Sequence, residues 1–187
     1  AKKLGVSFVT ENVISMDAAG EVKKVVTDKK EYEAKTIIIA TGAVHRKAGI
    51  PGEAEFTGKG VSYCATCDGA FFRNKTAAVV GGGDVAVEDA IYLARMCEKV
   101  YLIHRRDEFR AAKSLVNKAK NTENIELVLD STVERISGEA KVSSIEVKNK
   151  ITGNTDEFAV DGVFFAVGMQ PVTAFVDKSV QMNEAGY

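Results

Sequence analysis

The chain has 187 residues, 45% of them hydrophobic, with 25 Lys and Arg against 26 Asp and Glu. That length suits one ample core, or one domain with part of a second, and a net charge of −1 gives no reason to expect nucleic acid or an anionic membrane surface as partner. No apolar run approaches the roughly 20 residues of a membrane-spanning helix, the start AKKLGVSFV lacks a signal-peptide core, and three cysteines are too few for a disulfide framework, so a cytoplasmic protein is expected.

The first forty residues alternate as strands do. SFVTENVI and EVKKVVT lead to a turn at DKKEY and then to AKTIIIATGA, whose centre, Thr36 to Ala40, is apolar enough to predict a strand buried on both faces. No helical pattern occurs before residue 84 to cover this β-meander, so it reads as part of a domain whose remainder lies elsewhere. Residues 42–60, rich in Gly and holding one of two prolines, read as a connector. From Lys75 the pattern changes. TAAVVG predicts a short buried strand, and DVAVEDAIYLARMCEK a helix with Val87, Ala90, Ile91, Ala94 and Cys97 on one face. KVYLIH is a second strand, FRAAKSLVNKAK a second helix with Phe109, Ala112, Leu115, Val116 and Ala119 inward, and IELVL a third strand. This alternation predicts an α/β, Rossmann-like fold with a parallel sheet joined by right-handed crossovers. STVERI, SSIEVKN and TDEFAV, with a turn at Gly153-Asn154, predict an antiparallel β-excursion before a last strand in GVFFAVG.

VVGGGDVAVEDA sets Gly81, Gly83 and Ala86 in a G-x-G-x-x-A frame between a predicted strand and a predicted helix. Dinucleotide binding needs that context: glycine at the tight turn, glycine where backbone approaches a pyrophosphate, a small residue where helix meets strand, and helix N–H groups aimed at phosphate. A site for the unphosphorylated cofactor places an acid about 20 residues further on, at the end of the second strand. Here that place reads HRRDEFR: His104, Arg105 and Arg106, with Arg110 close behind, point to the 2'-phosphate of NADP. A solvated basic cluster paired with Asp107 and Glu108 is the bland alternative, and the glycine loop upstream argues against it.

YCATCDGAFF poses a separate question, since thiols spaced Cys-x-x-Cys can ligate a metal, close a disulfide or sit idle. Zinc needs four ligands, and beyond Cys64 and Cys67 the chain offers two histidines and the distant Cys97, which falls on the apolar stripe of the glycine-loop helix and reads as a small buried hydrophobe. The pair itself, followed by Asp68-Gly69, fits a turn more than a helix interior, and in a reducing compartment such a pair is more often catalytic than structural. A hydride carrier and a dithiol exchange electrons readily only through a relay, usually a flavin. Asp68 would then supply the proton for a departing thiolate; a solvated turn aspartate is its plain alternative.

Taken in order, IIIATGA, CATCDGAFF, GGGDVAVEDAIYLAR, HRRDEFRA and FAVGMQP resemble the low-molecular-weight thioredoxin reductases of the bacterial type, over essentially the whole chain. The resemblance implies a two-dinucleotide-binding-domain flavoprotein using NADPH and FAD, a redox-active disulfide carried in the NADPH domain, homodimers, thioredoxin as the disulfide substrate, and neither nucleic acid nor membrane as partner. It implies residues 1–43 as a partial FAD-binding domain, 44–168 as the NADPH domain and 169–187 as the start of a returning FAD-domain segment. Cys64 and Cys67 become the redox pair, the second nearer the flavin, with Asp68 as acid. Gly83, Asp84 and Val85 fall near the pyrophosphate, His104, Arg105, Arg106 and Arg110 around the 2'-phosphate, and Val167 with Gly168 beside the nicotinamide ribose. Thr41 and Gly42 match a segment that touches FAD, and Val13 a position near its adenine.

Complete members of that family also carry a Gly-x-Gly-x-x-Gly loop for FAD and a Gly-Asp segment that holds the flavin, and neither is present here. The FAD site is therefore expected to be incomplete in this chain. The resemblance further implies rotation of the NADPH domain, with pivots at Gly42 to Lys47 and Gly168 to Pro171. The flavoprotein subunit of alkyl hydroperoxide reductase shares the architecture, but its pair encloses Pro-His where Ala65-Thr66 stands here. The alternatives are a dithiol reductase serving another small redox protein, of the glutaredoxin-like or peroxiredoxin systems, and a non-catalytic NADP-binding module.

Overall fold

In the computed structural model, which describes residues 2–187, the alternating N-terminal segments form an antiparallel meander of β1 (Val13–Asp17), β2 (Lys23–Thr27) and β3 (Glu31–Ala34). Met16 is buried opposite Val25, and Val25 faces Tyr32. The short strand β4 (Ala43–His45) pairs with Met169–Pro171. Two compact units result, Ala1–Val44 with Met169–Tyr187, and His45–Gly168.

The expected strand at Thr36 to Ala40 does not form. Pairing stops at Ala34, no strand among the described residues runs beside 36–42, and Ile38 is 92% exposed. A strand exists only through its ladder, so an apolar run without a neighbour stays extended and unassigned. SFVTENVI likewise becomes strand only from Val13, where β2 is available to pair.

The larger unit contains β5 (Val61–Ser62), the one-turn helix α1 (Ala65–Asp68), β6 (Thr76–Gly81), α2 (Asp84–Ala94), β7 (Lys99–Ile103), α3 (Lys113–Lys120), β8 (Ile125–Val128), the three strands β9 (Ser131–Gly138), β10 (Val142–Asn149) and β11 (Thr155–Ala159), and β12 (Gly162–Ala166). Its central sheet has the order β5-β12-β6-β7-β8, parallel throughout. Successive residues of each strand point to opposite faces, and both faces are apolar. Ala77, Val79, Val100, Leu102 and Phe164 pack beneath α2 and α3, with Val87, Ala90 and Leu93. Ala78, Ile103, Val163 and Phe165 face the other way, onto Val133, Ile136, Ile145 and Val147 of the β11-β10-β9 excursion. The unit is thus three-layered, with helices on one face and an antiparallel sheet on the other.

Three local expectations shift. The second long helix starts at Lys113 instead of Phe109: residues 105–112 form a loop, and the Phe109 ring leaves the helical face to stack on His104 at 5.3 Å. The glycine-loop helix ends at Ala94, so Cys97 lies beyond it, still buried. Helical structure also occurs before residue 84, because Cys64 caps α1 through its own sulfur.

Candidate functional site

Parallel sheets present their ligand sites at the carboxyl ends of the strands, at the point where strand order reverses. In this sheet β6 lies there, with β7 following on one side and β12 on the other. Cys64 follows β5 by two residues and Gly81 ends β6, two strands away, so thiols and glycine loop leave the sheet at the same edge, with roughly 10 Å between those strands.

Cys64 and Cys67 form a disulfide, with their Cα atoms 5.3 Å apart. Cys64 has extended backbone, and the Cys67 N–H donates to its Sγ at 3.2 Å, which begins α1. Cys67 is exposed and Cys64 half-buried. Ser62 closes the loop around them: its Oγ accepts from the Cys64 N–H at 3.1 Å and donates to Asp68 Oδ2 at 2.6 Å. Behind the pair, Gly69 packs so tightly on α2 that a Cβ there would lie 2.9 Å from Leu93 Cδ2. The acid is therefore held by Ser62, and the segment is seated on both sides.

The glycines behave differently from one another. A Cβ on Gly81 would stand 2.5 Å from the Ala166 carbonyl oxygen and 2.7 Å from the Ala86 Cβ, so this position marks the tight meeting of β6, β12 and α2. At Gly82 a Cβ would enter the His104 ring, 2.0 Å from its nearest carbon. Only Gly83, the N-cap of α2, faces open space; no side chain caps the helix, which leaves its first-turn N–H groups for a ligand. Asp84 is exposed, but its Oδ1 accepts from the Ala112 N–H at 2.8 Å and braces the arginine loop; Val85 is exposed beside it. The Arg110 N–H donates to Gly82 O at 2.7 Å, so glycine loop and arginine loop are tied twice.

Arg105, Arg106 and Arg110 are exposed, while His104 is 6% exposed and lies under Gly82. The ring is hydrogen-bonded to the Glu108 backbone, and its Nε2 is buried without a partner among the described residues. Burial, together with Arg106, Arg110 and Arg105, holds its pKa below the ordinary histidine value, so the ring is a neutral floor under the loop. Val167 is partly exposed and Gly168 takes φ +103°, its carbonyl accepting from the Arg46 N–H. Val13, Thr41 and Gly42 belong to the smaller unit; Val13 and Thr41 are exposed, and the Thr41 hydroxyl donates to Val172 O at 2.7 Å.

Sequence patterns did not single out Ser62, Tyr63, Gly82 or Glu53. Glu53 is 2% exposed in the middle of the supposed connector, where its carboxylate accepts from the Ala48, Gly49 and Ile50 N–H groups and from the Tyr63 hydroxyl. Burial pushes its pKa up, but those four donors outweigh it, and the result is lowered. No spacing rule announces such a residue; a lone acid after Pro-Gly looks like any turn.

The family model for pyridine nucleotide-disulphide oxidoreductases matches residues 2–187. Thioredoxin reductase of Peptoclostridium acidaminophilum is 43% identical over 193 residues, covering 100% of this chain and 61% of that protein, and thioredoxin reductase of Bacillus subtilis is 43% identical over 188 residues, covering 100% and 60%. The crystal structure of Lactococcus lactis thioredoxin reductase in its FR conformation superposes with a TM-score of 0.85 at 45% identity, over 100% of this chain and 62% of that one. Thioredoxin reductase from Giardia duodenalis gives 0.84 at 40%, again over 100% and 62%. The chain thus spans about 61% of the length of these relatives. No helix among the described residues is long and apolar enough to cross a membrane. A family match over the whole described length, on a fold that brings a disulfide and a glycine loop to one sheet edge, settles the class: the chain belongs to the pyridine nucleotide-disulphide oxidoreductases.

Proposed function

We propose that this chain is the dithiol-bearing, NADPH-binding part of a flavoprotein thioredoxin reductase, with NADPH and FAD as the cofactors that membership of the family implies. The single observation that carries the reading is a disulfide, Cys64–Cys67, in the same unit as a glycine loop whose partner strand ends in arginines instead of an acid. The reading includes thioredoxin as disulfide partner, a cytoplasmic setting and a homodimer of the whole protein.

The glycine loop fits NADP. Gly83 is open where a pyrophosphate would approach, and three exposed guanidinium groups sit on a loop tied to it. Arg105, Arg106 and Arg110 would hold the 2'-phosphate, while His104, predicted beside them, supports Gly82 from below. Gly81 and Ala86 let backbone and helix close up, and Val167 with Gly168 would border the nicotinamide ribose. The smaller unit fits FAD poorly: Thr41 and Val13 are exposed and the Thr41 hydroxyl is committed to Val172, so Val13, Thr41 and Gly42 alone would hold it weakly.

NADPH and FAD, when bound, supply the electron pair that opens the disulfide. The two sulfurs do the rest. In the dithiol form the Cys67 N–H favours a thiolate at Cys64, which attacks one sulfur of the partner's disulfide and expels the other as a thiol, Asp68 giving the proton. Cys67 then attacks Cys64 Sγ, the mixed disulfide breaks, and the partner leaves with both of its sulfurs reduced while Cys64–Cys67 closes again.

Two measurements test this. Arg105→Ala, Arg106→Ala and Arg110→Ala should each weaken NADP+ binding roughly tenfold and leave NAD+ binding unchanged, as loss of a charge-assisted hydrogen bond predicts; equal loss for both nucleotides would refute the phosphate assignment. Cys64→Ser or Cys67→Ser in the FAD-loaded whole protein should abolish NADPH-driven thioredoxin reduction, and turnover surviving either change would refute the redox assignment.

A further inference from the structure

A buried carboxylate with no described cation against it needs a reason to be there. Glu53 accepts four hydrogen bonds: Ala48 N–H at 3.0 Å and Tyr63 OH at 2.6 Å on Oε1, and Gly49 N–H at 2.7 Å and Ile50 N–H at 3.3 Å on Oε2. The segment it gathers is anchored in turn to the excursion. Pro51 O accepts from the Ile136 N–H of β9 at 2.9 Å, and Gly52 approaches so closely that a Cβ would stand 2.2 Å from Ile136 O.

Tyr63 is the other end of this chain of contacts, and it directly precedes Cys64. Its ring stacks on His45 with centroids 5.5 Å apart, tilts against Phe165 of β12 at 6.0 Å, and has Lys47 Nζ 5.6 Å from its centroid. Burial, then Glu53, pushes its hydroxyl up to about 12, so it remains a donor throughout the physiological range. The residue before the first thiol is therefore gripped by the 45–50 segment, by β12 and, through Glu53, by the excursion sheet.

We infer that Glu53 is a positioning residue for the Cys64–Cys67 pair, acting through Tyr63; the inference rests on the redox reading of that pair. A dithiol closes to a disulfide according to how often its two sulfurs meet, and a backbone held in the closing geometry raises that effective concentration. Ser62 and Gly69 fix the segment from behind, and Glu53–Tyr63 fixes its entrance. Cutting the Tyr63 hydroxyl from Glu53 loosens Cys64 and shifts the equilibrium toward the dithiol.

The test is a redox titration of the purified chain in dithiothreitol buffers, with thiols counted by alkylation and mass spectrometry. Tyr63→Phe keeps the ring contacts and leaves Glu53 its three backbone donors, so the fold persists. The expected result is a disulfide about tenfold easier to reduce, equivalent to about 30 mV for this two-electron couple. Glu53→Gln should move it the same way and bring one phenol titration down from about 12 toward the ordinary value near 10. Cys97, buried and with its thiol pushed up to about 11, reports on folding by staying unalkylated. Should Glu53→Gln expose Cys97, Tyr63→Phe alone decides. A Tyr63→Phe midpoint equal to wild type, with Cys97 still protected, overturns the inference and leaves the redox reading intact. A wild-type pair that does not cycle reversibly near thioredoxin's potential of about −270 mV overturns the redox reading itself, and the inference with it.

Discussion

Two runs in this chain look alike and end differently. TIIIATG (36–42) and GVFFAVG (162–168) are both apolar through their centres, and both close on a glycine with positive φ, +68° at Gly42 and +103° at Gly168. The second is β12, paired on both sides by β5 and β6, with Phe164 fully buried under the helices and Phe165 under the excursion. The first is no strand, and Ile38 is 92% exposed. Both runs are apolar at their centres; their neighbours differ. Apolar character offers a segment to a sheet, and only a ladder on either side makes it a strand.

The sharpest way to break that comparison is to shorten one side chain in each run. Phe164→Ala removes a ring that meets Phe72 edge-on at 5.1 Å, and should destabilise the larger unit by about 3–5 kcal/mol. Ile38→Ala should stay within about 0.5 kcal/mol, the range of exposed positions. Urea unfolding of both variants measures this. A large loss from Ile38→Ala would mean that the run is packed after all.

Titration offers a second contrast, because two acids, one in each unit, shift in opposite directions: burial raises both, and in one of them hydrogen bonds outweigh it. Asp89 on α2 is pushed up to about 6 by burial and then by Glu88, with His45 opposing. Its proton is held more tightly in the folded state than in the unfolded one, so its contribution is present below about pH 4 and is lost as pH rises through about 6. Asp89→Asn should stabilise by about 2 kcal/mol at pH 7 and change nothing at pH 4. In the smaller unit Asp177 is lowered, first by the Ser179 hydroxyl, then by the Ser179 and Ala18 N–H groups against slight burial. Its contribution is present above the ordinary carboxylate range and fades as pH falls. Denaturation midpoints between pH 4 and 7 for Asp89→Asn and Asp177→Asn should therefore move in opposite senses relative to wild type; parallel curves would contradict the assignment.

The same contrast explains what was legible in the sequence. The parallel sheet and the excursion were readable because Ala77 and Val79, Val100 and Leu102, and Ile145 and Val147 repeat at strand period and Val87, Ala90 and Ile91 at helical period, and each segment finds its partner within the larger unit. Thr36 to Ala40 carried a comparable signal and misled, since period reports a face and not its occupant. Phe109 sat at helical spacing yet left the helix to cover His104, an aromatic contact that outweighs one more turn at a helix start. In the site, Cys64, Cys67 and the glycine frame were visible because their chemistry depends on spacing along the chain. Glu53, Ser62 and Gly82 were not, because each is defined by what approaches it from elsewhere: Tyr63, Asp68 and the His104 ring.

The two glycines that close these runs give a narrower contrast, which separates local strain from packing. At both Gly42 and Gly168 an added Cβ meets nothing within 4 Å, so alanine there brings no clash, only a left-handed backbone that an L side chain resists by roughly 1–2 kcal/mol. Each carbonyl is also held by one backbone donor, Val172 N–H for Gly42 and Arg46 N–H for Gly168, both at 3.0 Å. The difference lies in what surrounds them. Gly168 follows a strand locked between two neighbours and cannot relax its φ, so Gly168→Ala should show the full strain, about 1–2 kcal/mol in urea unfolding. Gly42 follows an unpaired, exposed run that can turn to negative φ at the expense of one hydrogen bond, so Gly42→Ala should lose no more than about 1 kcal/mol. If Gly42→Ala proves the more damaging of the two, the 36–42 run is held as firmly as β12, and exposure is a false guide to its freedom.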